Sequence, residues 1–354
     1  MRRPRVGVLT FHRCINYGSY WQARCLVEGL KDRGLDPMLL DHHSSAVNRR
    51  EWSTALRPMQ ARATAEHRGL YSRKIRLFLE AFDSTLPLTA PFPLETPPSA
   101  GEFEALVVGS DEVWNFRHPW YAGQPLFFGE AQGVRRLIAY AASFGNHDAA
   151  DGVGREWVER LQRFSFLSVR DANSQRLVAG ALGASPPVVL DPCLQFPRAA
   201  QRNNATPSGE ILIYGHGFPR WFQDAVRVFA DAVRAPLVSL GYDNDWADEQ
   251  RIAEGPEAFA RAMGAARAVV TNFFHGCVFS VINGRPFVTV LSDYRSNKIQ
   301  DLLLRLGLQS RLMTPDSPPP DYVAALSAPP KPSPGLQALR EESDRFLDRS
   351  LAGL

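Results

Sequence analysis

Lysine is scarce in this chain. Lys31, Lys74, Lys298 and Lys331 are the whole complement, against 40 lysines and arginines together in 354 residues. A lysine beside a candidate site therefore carries extra weight. Cysteine is scarce as well. Cys14, Cys25, Cys193 and Cys277 form no CxxC pair and no ladder of bridges, which excludes a disulfide scaffold and points to a reducing, cytoplasmic setting. No apolar run approaches the ~18–20 residues that cross a bilayer, and the stretch after the basic start is too short for a signal-peptide core. Peripheral contact with a membrane stays open. Excess charge is missing too: 40 − 37 leaves +3, too slight to argue for a nucleic-acid partner. The histidines make no HxxxH or HExxH spacing and no Cys/His cluster, so neither a metal nor a resident cofactor is expected. Gly-x-Ser-x-Gly is absent, which weakens an α/β-hydrolase reading.

What is present is an ordinary globular composition, 45% hydrophobic and 22% charged, long enough for two domains. Short apolar runs at 5–10, 37–41, 104–108, 136–140, 166–169 and 187–190 read as buried strands, with helical spacing at 20–30, 69–82 and 172–182. Strand, loop, helix and strand in succession build a parallel sheet. Residues 197–209 are polar and rich in breakers, the best linker. Beyond them the pattern restarts, with strands at 211–214, 236–240, 268–271 and 287–291 and helices at 221–233, 256–265 and 275–282. The expected division is residues 1–196, a linker at 197–209, residues 210–314, and a proline-rich tail with a last helix over 315–354. The fold class is α/β, two halves facing a central cleft.

Several stretches carry chemistry. Asn16-Tyr17-Gly18-Ser19 opens a helix beyond the first strand, where backbone N–H groups favour an anion. Gly109-Ser-Asp-Glu-Val-Trp-Asn115 offers carboxylates, an amide and an indole within a few positions, a set suited to sugar hydroxyls and to the C–H face of a ring. Asp111 and Trp114 can equally be a helix cap and a core residue. Arg170 ends a strand, where a guanidinium can fork onto a phosphate or carboxylate or pair with a nearby acid. His275 follows a buried strand at the start of an apolar helix, with Gly276 next; imidazole ordinarily titrates near neutrality and suits proton transfer. Arg295 and Lys298 follow the last central strand.

In this order the stretches resemble the polysaccharide pyruvyl transferase family: Gly7-Val-Leu-Thr-Phe with Asn16-Tyr-Gly, Gly109 to Asn115, Ala141-Ala-Ser-Phe-Gly145, Ser168-Val-Arg170, Asp191-Pro192 and Phe274-His-Gly276. The resemblance spans residues 5 to about 308. It implies two Rossmann-like domains in a GT-B-like architecture. It also implies transfer of the enolpyruvyl group of phosphoenolpyruvate to two hydroxyls of a sugar, giving a ketal and phosphate. Phosphoenolpyruvate is then a co-substrate. The acceptor is a sugar, a lipid-linked glycan or a sugar-containing small molecule. Glu112 stands where the family usually has Gln, and Phe273 where some relatives have Arg, which leaves phosphate binding to Arg170, Arg295 or Lys298. The catalytic candidates are His275 and Asp111. Donor-binding candidates are Arg170, Arg295, Lys298 and Gly276; acceptor-binding candidates are Asn16, Tyr17, Gly18, Trp114 and Asn115. Two other readings share the architecture: a glycosyltransferase using a nucleotide sugar, and a sugar-binding relative without the chemistry. Oligomeric state is not fixed by these residues.

Overall fold

The computed structural model describes residues 2–56, 64–202, 205–292, 296–333 and 335–354. Its early elements are β1 (Arg5–Leu9), α1 (Tyr17–Asp32), β2 (Asp36–Leu39), β3 (His42–His43), α2 (Ser45–Ala55), α3 (Ala65–Thr85) and β4 (Phe92–Pro93). Next come β5 (Ala105–Val108), β6 (Leu137–Ala142), α4 (Arg155–Leu161), β7 (Phe166–Val169), α5 (Ala172–Leu182) and α6 (Pro192–Gln195). The later part runs β8 (Ile211–Tyr214), α7 (Arg220–Ala232), β9 (Leu237–Leu240), β10 (Glu249–Arg251), α8 (Pro256–Ala265), β11 (Ala268–Thr271), α9 (Phe274–Ile282) and β12 (Phe287–Thr289). It closes with α10 (Ser296–Arg305), α11 (Pro319–Ser327) and α12 (Leu336–Leu351).

The chain forms two compact units. The first comprises residues 1–51, 82–199 and 337–354; the second comprises 52–81 and 200–336. The first unit is built on a parallel sheet in the order β2-β1-β5-β6-β7, with β3 and β4 paired separately. Strands β5 and β6 are buried along their whole length, as apolar runs covered on both faces must be. The second unit repeats the plan in the order β10-β9-β8-β11-β12, again all parallel. Its core gathers Ile211, Ile213, Phe222, Val226, Leu237, Val270 and Val288.

Two crossings of the chain depart from the simple division. Helix α12 joins the first unit: Ser343 Oγ accepts from Leu190 N at 2.9 Å, and Arg340 Nε donates to Leu194 O at 2.8 Å. Residues 52–81 belong to the second unit, where Tyr71 Oη accepts from Asp243 N at 3.0 Å. Part of the linker stretch is also tied down, with Arg202 N donating to Asn283 Oδ1 at 2.8 Å.

Strand order decides where each unit exposes its loops. In the first sheet the connections diverge between β1 and β5, in the second between β8 and β11. In open α/β sheets, such switch points leave a crevice beyond the carboxyl ends of the strands. Of the stretches picked out by sequence, those at Asn16, Gly109 and His275 follow β1, β5 and β11 at these switch points, whereas Arg170 and Lys298 follow β7 and β12.

Candidate functional site

At the first unit's switch point, two loops are knit together by side chains. Asn16 caps α1, its Oδ1 accepting from Gly18 N at 2.8 Å and Ser19 N at 3.3 Å, which quiets two of the helix's open donors. Ser19 Oγ donates to Asp111 Oδ2 at 2.7 Å, and Thr10 Oγ1 donates to Ser110 O at 2.9 Å. Asp111 stands in the left-handed region at φ 80°, with Oδ1 accepting from Glu112 N at 2.9 Å. Gly109 before it is obligatory, because a Cβ there would fall 2.3 Å from Tyr140 O and its φ is +109°.

The sequence-expected arginine is already engaged. Arg170 is buried, with Nη1 2.9 Å from Asp191 Oδ2 and Nη2 3.5 Å from Asp111 Oδ1. Burial works against its charge, but Asp191, Asp111 and Asp171 outweigh it and hold the guanidinium pKa above its usual value. Asp171, the nearest acid in sequence, caps α5 through Ser174 N at 2.7 Å instead. Arg170 therefore sits in the first unit between two buried carboxylates, the pairing with a nearby acid that the sequence also allowed.

Two acceptor candidates, Trp114 and Asn115, are buried. Trp114 is 1% exposed, Nε1 donating to Phe127 O at 2.8 Å, with its ring enclosed by Phe128, Phe144 and Phe164. It is a core residue, the alternative the sequence left open. Asn115 is also buried, its Nδ2 donating to Glu112 Oε2 and Asn146 Oδ1 and its Oδ1 accepting from Arg117 N at 2.9 Å. Tyr17 and Gly18 are buried, while Asn16 is exposed at the loop surface.

The same edge holds titratable groups the motifs did not announce. Glu51 reaches from α2 to accept from Ile15 N at 2.8 Å, in the loop that leads to Asn16. Burial pushes its carboxyl up to about 7, against the pull of the Ile15 N–H and the neighbouring Cys14 thiol. Asp41 is gripped by Arg13 through two bonds of 2.7 Å and lies 3.2 Å from His12 Nε2. Beside them His42 is pushed down to about 3 by burial and by His12, and burial takes His118 down to about 4. None of these has a local sequence signature, because each partner is contributed by a distant strand or helix.

The second unit's switch point is differently made. Strand β11 ends at Thr271, whose Oγ1 donates to Tyr214 O and accepts from Phe273 N at 3.0 Å. Asn272 Nδ2 donates to His216 O and Asn244 Nδ2 to Gly215 O, at 2.8 and 2.9 Å, fixing the loops after β8, β9 and β11 to one another. Helix α9 then starts at once, with His275 as its second residue, 9% exposed. Gly276 lets this happen: a Cβ there would lie 2.0 Å from Thr271 Oγ1, so its place is explained by the close approach of helix to strand. Tyr214, His216, Tyr242 and Phe273 form an aromatic group over these strand ends, with Tyr242 and Phe273 5.2 Å apart and edge to face. Lys74, overlooked in the sequence although its rarity was the available signal, is buried here with Nζ 2.8 Å from Gly241 O. Lys298 is half-buried in the first turn of α10, and Arg295 lies outside the described residues.

Fold and site together define a two-domain, Rossmann-like α/β protein whose motifs gather at strand-end switch points. The profile of the polysaccharide pyruvyl transferase family matches residues 16–294, and the chain belongs to that family of transferases. No curated protein matches it. Among solved structures, the UDP-GlcNAc 2-epimerase of Methanocaldococcus jannaschii aligns with TM-score 0.50 at 8% identity, covering 99% of this chain and 100% of its own. That likeness is one of fold, the two-domain GT-B-like type. The Neisseria meningitidis UDP-GlcNAc 2-epimerase bound to UDP-GlcNAc aligns with TM-score 0.49 at 8% identity, covering 98% of this chain and 100% of its own. An O-GlcNAc transferase of Thermobaculum terrenum aligns with TM-score 0.40 at 11% identity; the alignment covers 99% of this chain and 64% of that one. No described helix is long and apolar enough to cross a membrane.

Proposed function

We propose that this protein transfers the enolpyruvyl group of phosphoenolpyruvate to two hydroxyls of one sugar, forming a pyruvate ketal and releasing phosphate. The observation that carries the reading is the position of His275. In a chain of this family, it occupies the first turn of α9 directly beyond β11, at the second unit's switch point.

The chemistry needs two protons moved. The first hydroxyl oxygen gives up its proton and bonds to C2 of the donor, while the double bond takes a proton at its methylene carbon, which becomes a methyl group. The second hydroxyl oxygen then bonds to C2, the C2–O bond to phosphorus breaks, and phosphate leaves with the electron pair and the second hydroxyl proton. His275 serves one of the proton transfers, as a histidine side chain within reach of a hydroxyl or of the methylene carbon can. The second unit is assigned the donor, with Lys298 as a cation for its phosphate or carboxylate. The first unit is assigned the acceptor, with Asn16 at the exposed end of the loop. Asp111, held by Ser19 and Arg170, positions that loop.

The test is turnover. The full chain with phosphoenolpyruvate and a panel of sugars, glycolipids and glycosylated small molecules should release inorganic phosphate and give a product heavier by one pyruvate ketal. Release of nucleoside diphosphate from a nucleotide sugar, with no phosphate from phosphoenolpyruvate, would overturn it.

A further inference from the structure

At the first unit's strand edge most polar atoms are matched within the protein. The N–H groups of Gly18 and Ser19 go to Asn16 Oδ1, that of Glu112 to Asp111 Oδ1, and that of Ile15 to Glu51 Oε1. Four buried acids here, Asp41, Asp111, Asp171 and Asp191, have both carboxylate oxygens in hydrogen bonds. Glu51 differs. It is 5% exposed, and among the described residues its Oε2 is the one enclosed carboxylate oxygen without a hydrogen-bond partner. The Cys14 thiol lies beside the carboxyl, but a thiol is a weak donor.

This arrangement is costly. A buried acceptor left unpaired carries the full penalty of its desolvation, and burial holds the carboxyl's pKa up at about 7. The tie from α2 to the loop does not need an acid, because a glutamine carbonyl would accept from Ile15 N equally well. What the second carboxylate oxygen adds is a seat for a hydrogen donor from outside. The N–H groups that could have met an anion here are already bonded to side-chain oxygens, so the edge favours a hydroxyl over a phosphate. Ile15 leads directly to Asn16, the exposed residue assigned above to the acceptor.

We propose that Glu51 is an acceptor-binding residue, whose Oε2 receives the hydrogen of a sugar hydroxyl that reaches it past the 13–16 loop. The assignment rests on the function proposed above and adds a specificity-determining contact to it. Cys14 and Tyr121 are the titratable neighbours, with Asp111 and Arg13 beyond them; burial holds the thiol and the phenol well above their usual ranges, so both are neutral. At pH 8, above its own value, the Glu51 carboxyl is mostly ionised and accepts through both oxygens.

Titration calorimetry of the full chain at pH 8 tests this with the sugar that the panel above shows to be pyruvylated, and with each of its single-deoxy analogues. Glu51→Gln keeps an acceptor for Ile15 N and replaces the charged oxygen with an amide. It should bind the sugar roughly 10-fold more weakly, the difference between a hydrogen bond to a charged group and one to a neutral group. Its affinity for phosphoenolpyruvate should not change. Melting curves should show it no less stable than the parent, so the weaker binding cannot come from unfolding. One deoxy analogue should show a similar loss with the parent and no further loss with the variant, which marks the hydroxyl that Glu51 holds. Glu51→Met, with no oxygen at all, should lose at least as much. Normal sugar affinity in either folded variant, or a loss that is the same with every analogue, overturns the assignment and leaves the pyruvyl transferase reading in place. No phosphate release from phosphoenolpyruvate with any member of the panel overturns that reading, and the role of Glu51 falls with it.

Discussion

The two sheets have closely related plans, but their carboxyl-terminal edges solve different problems. In the first unit, charge meets charge: Arg170 holds Asp191 and Asp111, and Arg13 holds Asp41 beside His12. Asn16, Ser19 and Thr10 spend their polar atoms on joining neighbouring loops. In the second unit the edge is made of rings and amides. Tyr214, Tyr242, Phe273, Asn244 and Asn272 shape it, and Lys74 and His275 are set among them. Under the proposed function, the difference separates building from chemistry. An edge whose charges neutralise one another is rigid and specific. The proposed function assigns the chemistry to the second edge, where a buried amine and an imidazole are framed by weakly polar groups.

The comparison can be broken or sharpened by substitution. The largest effect is expected at His275. His275→Asn keeps a hydrogen bond but cannot carry a proton, so phosphate release should fall by ~10²–10⁴-fold with fold and donor affinity retained. Near-normal turnover in that variant would remove His275 from the chemistry. Arg170→Ala comes next, as a loss of stability: two buried carboxylates would lose their cation, worth about 3–5 kcal/mol in denaturant unfolding. A stable Arg170→Ala protein that binds phosphoenolpyruvate poorly would reverse the contrast and return the arginine to the donor.

The smallest effect belongs to Glu51. Its folded pKa is raised from 4.5 to about 7, so the stability it contributes is fully present below the unfolded value and lost as pH rises through about 7. Glu51→Gln should therefore unfold at higher denaturant than the parent above neutral pH, by up to roughly 3 kcal/mol, with the gain gone in mild acid. An equal difference at both pH values would show that Glu51 does not carry the raised pKa.

Much of this contrast was legible in sequence as position and little of it as role. The buried strands at 104–108, 211–214 and 268–271 announced themselves as apolar runs, and the motifs after the first and last of them fell at the switch points. The run at 187–190 forms only a bridge, Val169 to Val188, because it lies beyond the sheet's last strand. Strand β10 was invisible, since Glu249-Gln-Arg251 is a polar edge. Helix α11 hid in a stretch read as proline-rich, yet proline is well suited to a helix's first turn and Pro319 opens it. Roles were harder still. Nothing around Trp114 distinguishes a core indole from a sugar platform until Phe128, Phe144 and Phe164 close over it. Arg170 looks identical in sequence whether it meets a ligand or Asp191. Lys74 and Gly241 are far apart along the chain, and only the fold joins them.

The central claim is that phosphoenolpyruvate is the donor. The most direct measurement is its binding isotherm with the full-length protein, set beside those of nucleotide sugars under the same conditions. Saturable binding of phosphoenolpyruvate, with no comparable binding of the nucleotide sugars, is the predicted result. Tight binding of a nucleotide sugar with none of phosphoenolpyruvate would contradict the account.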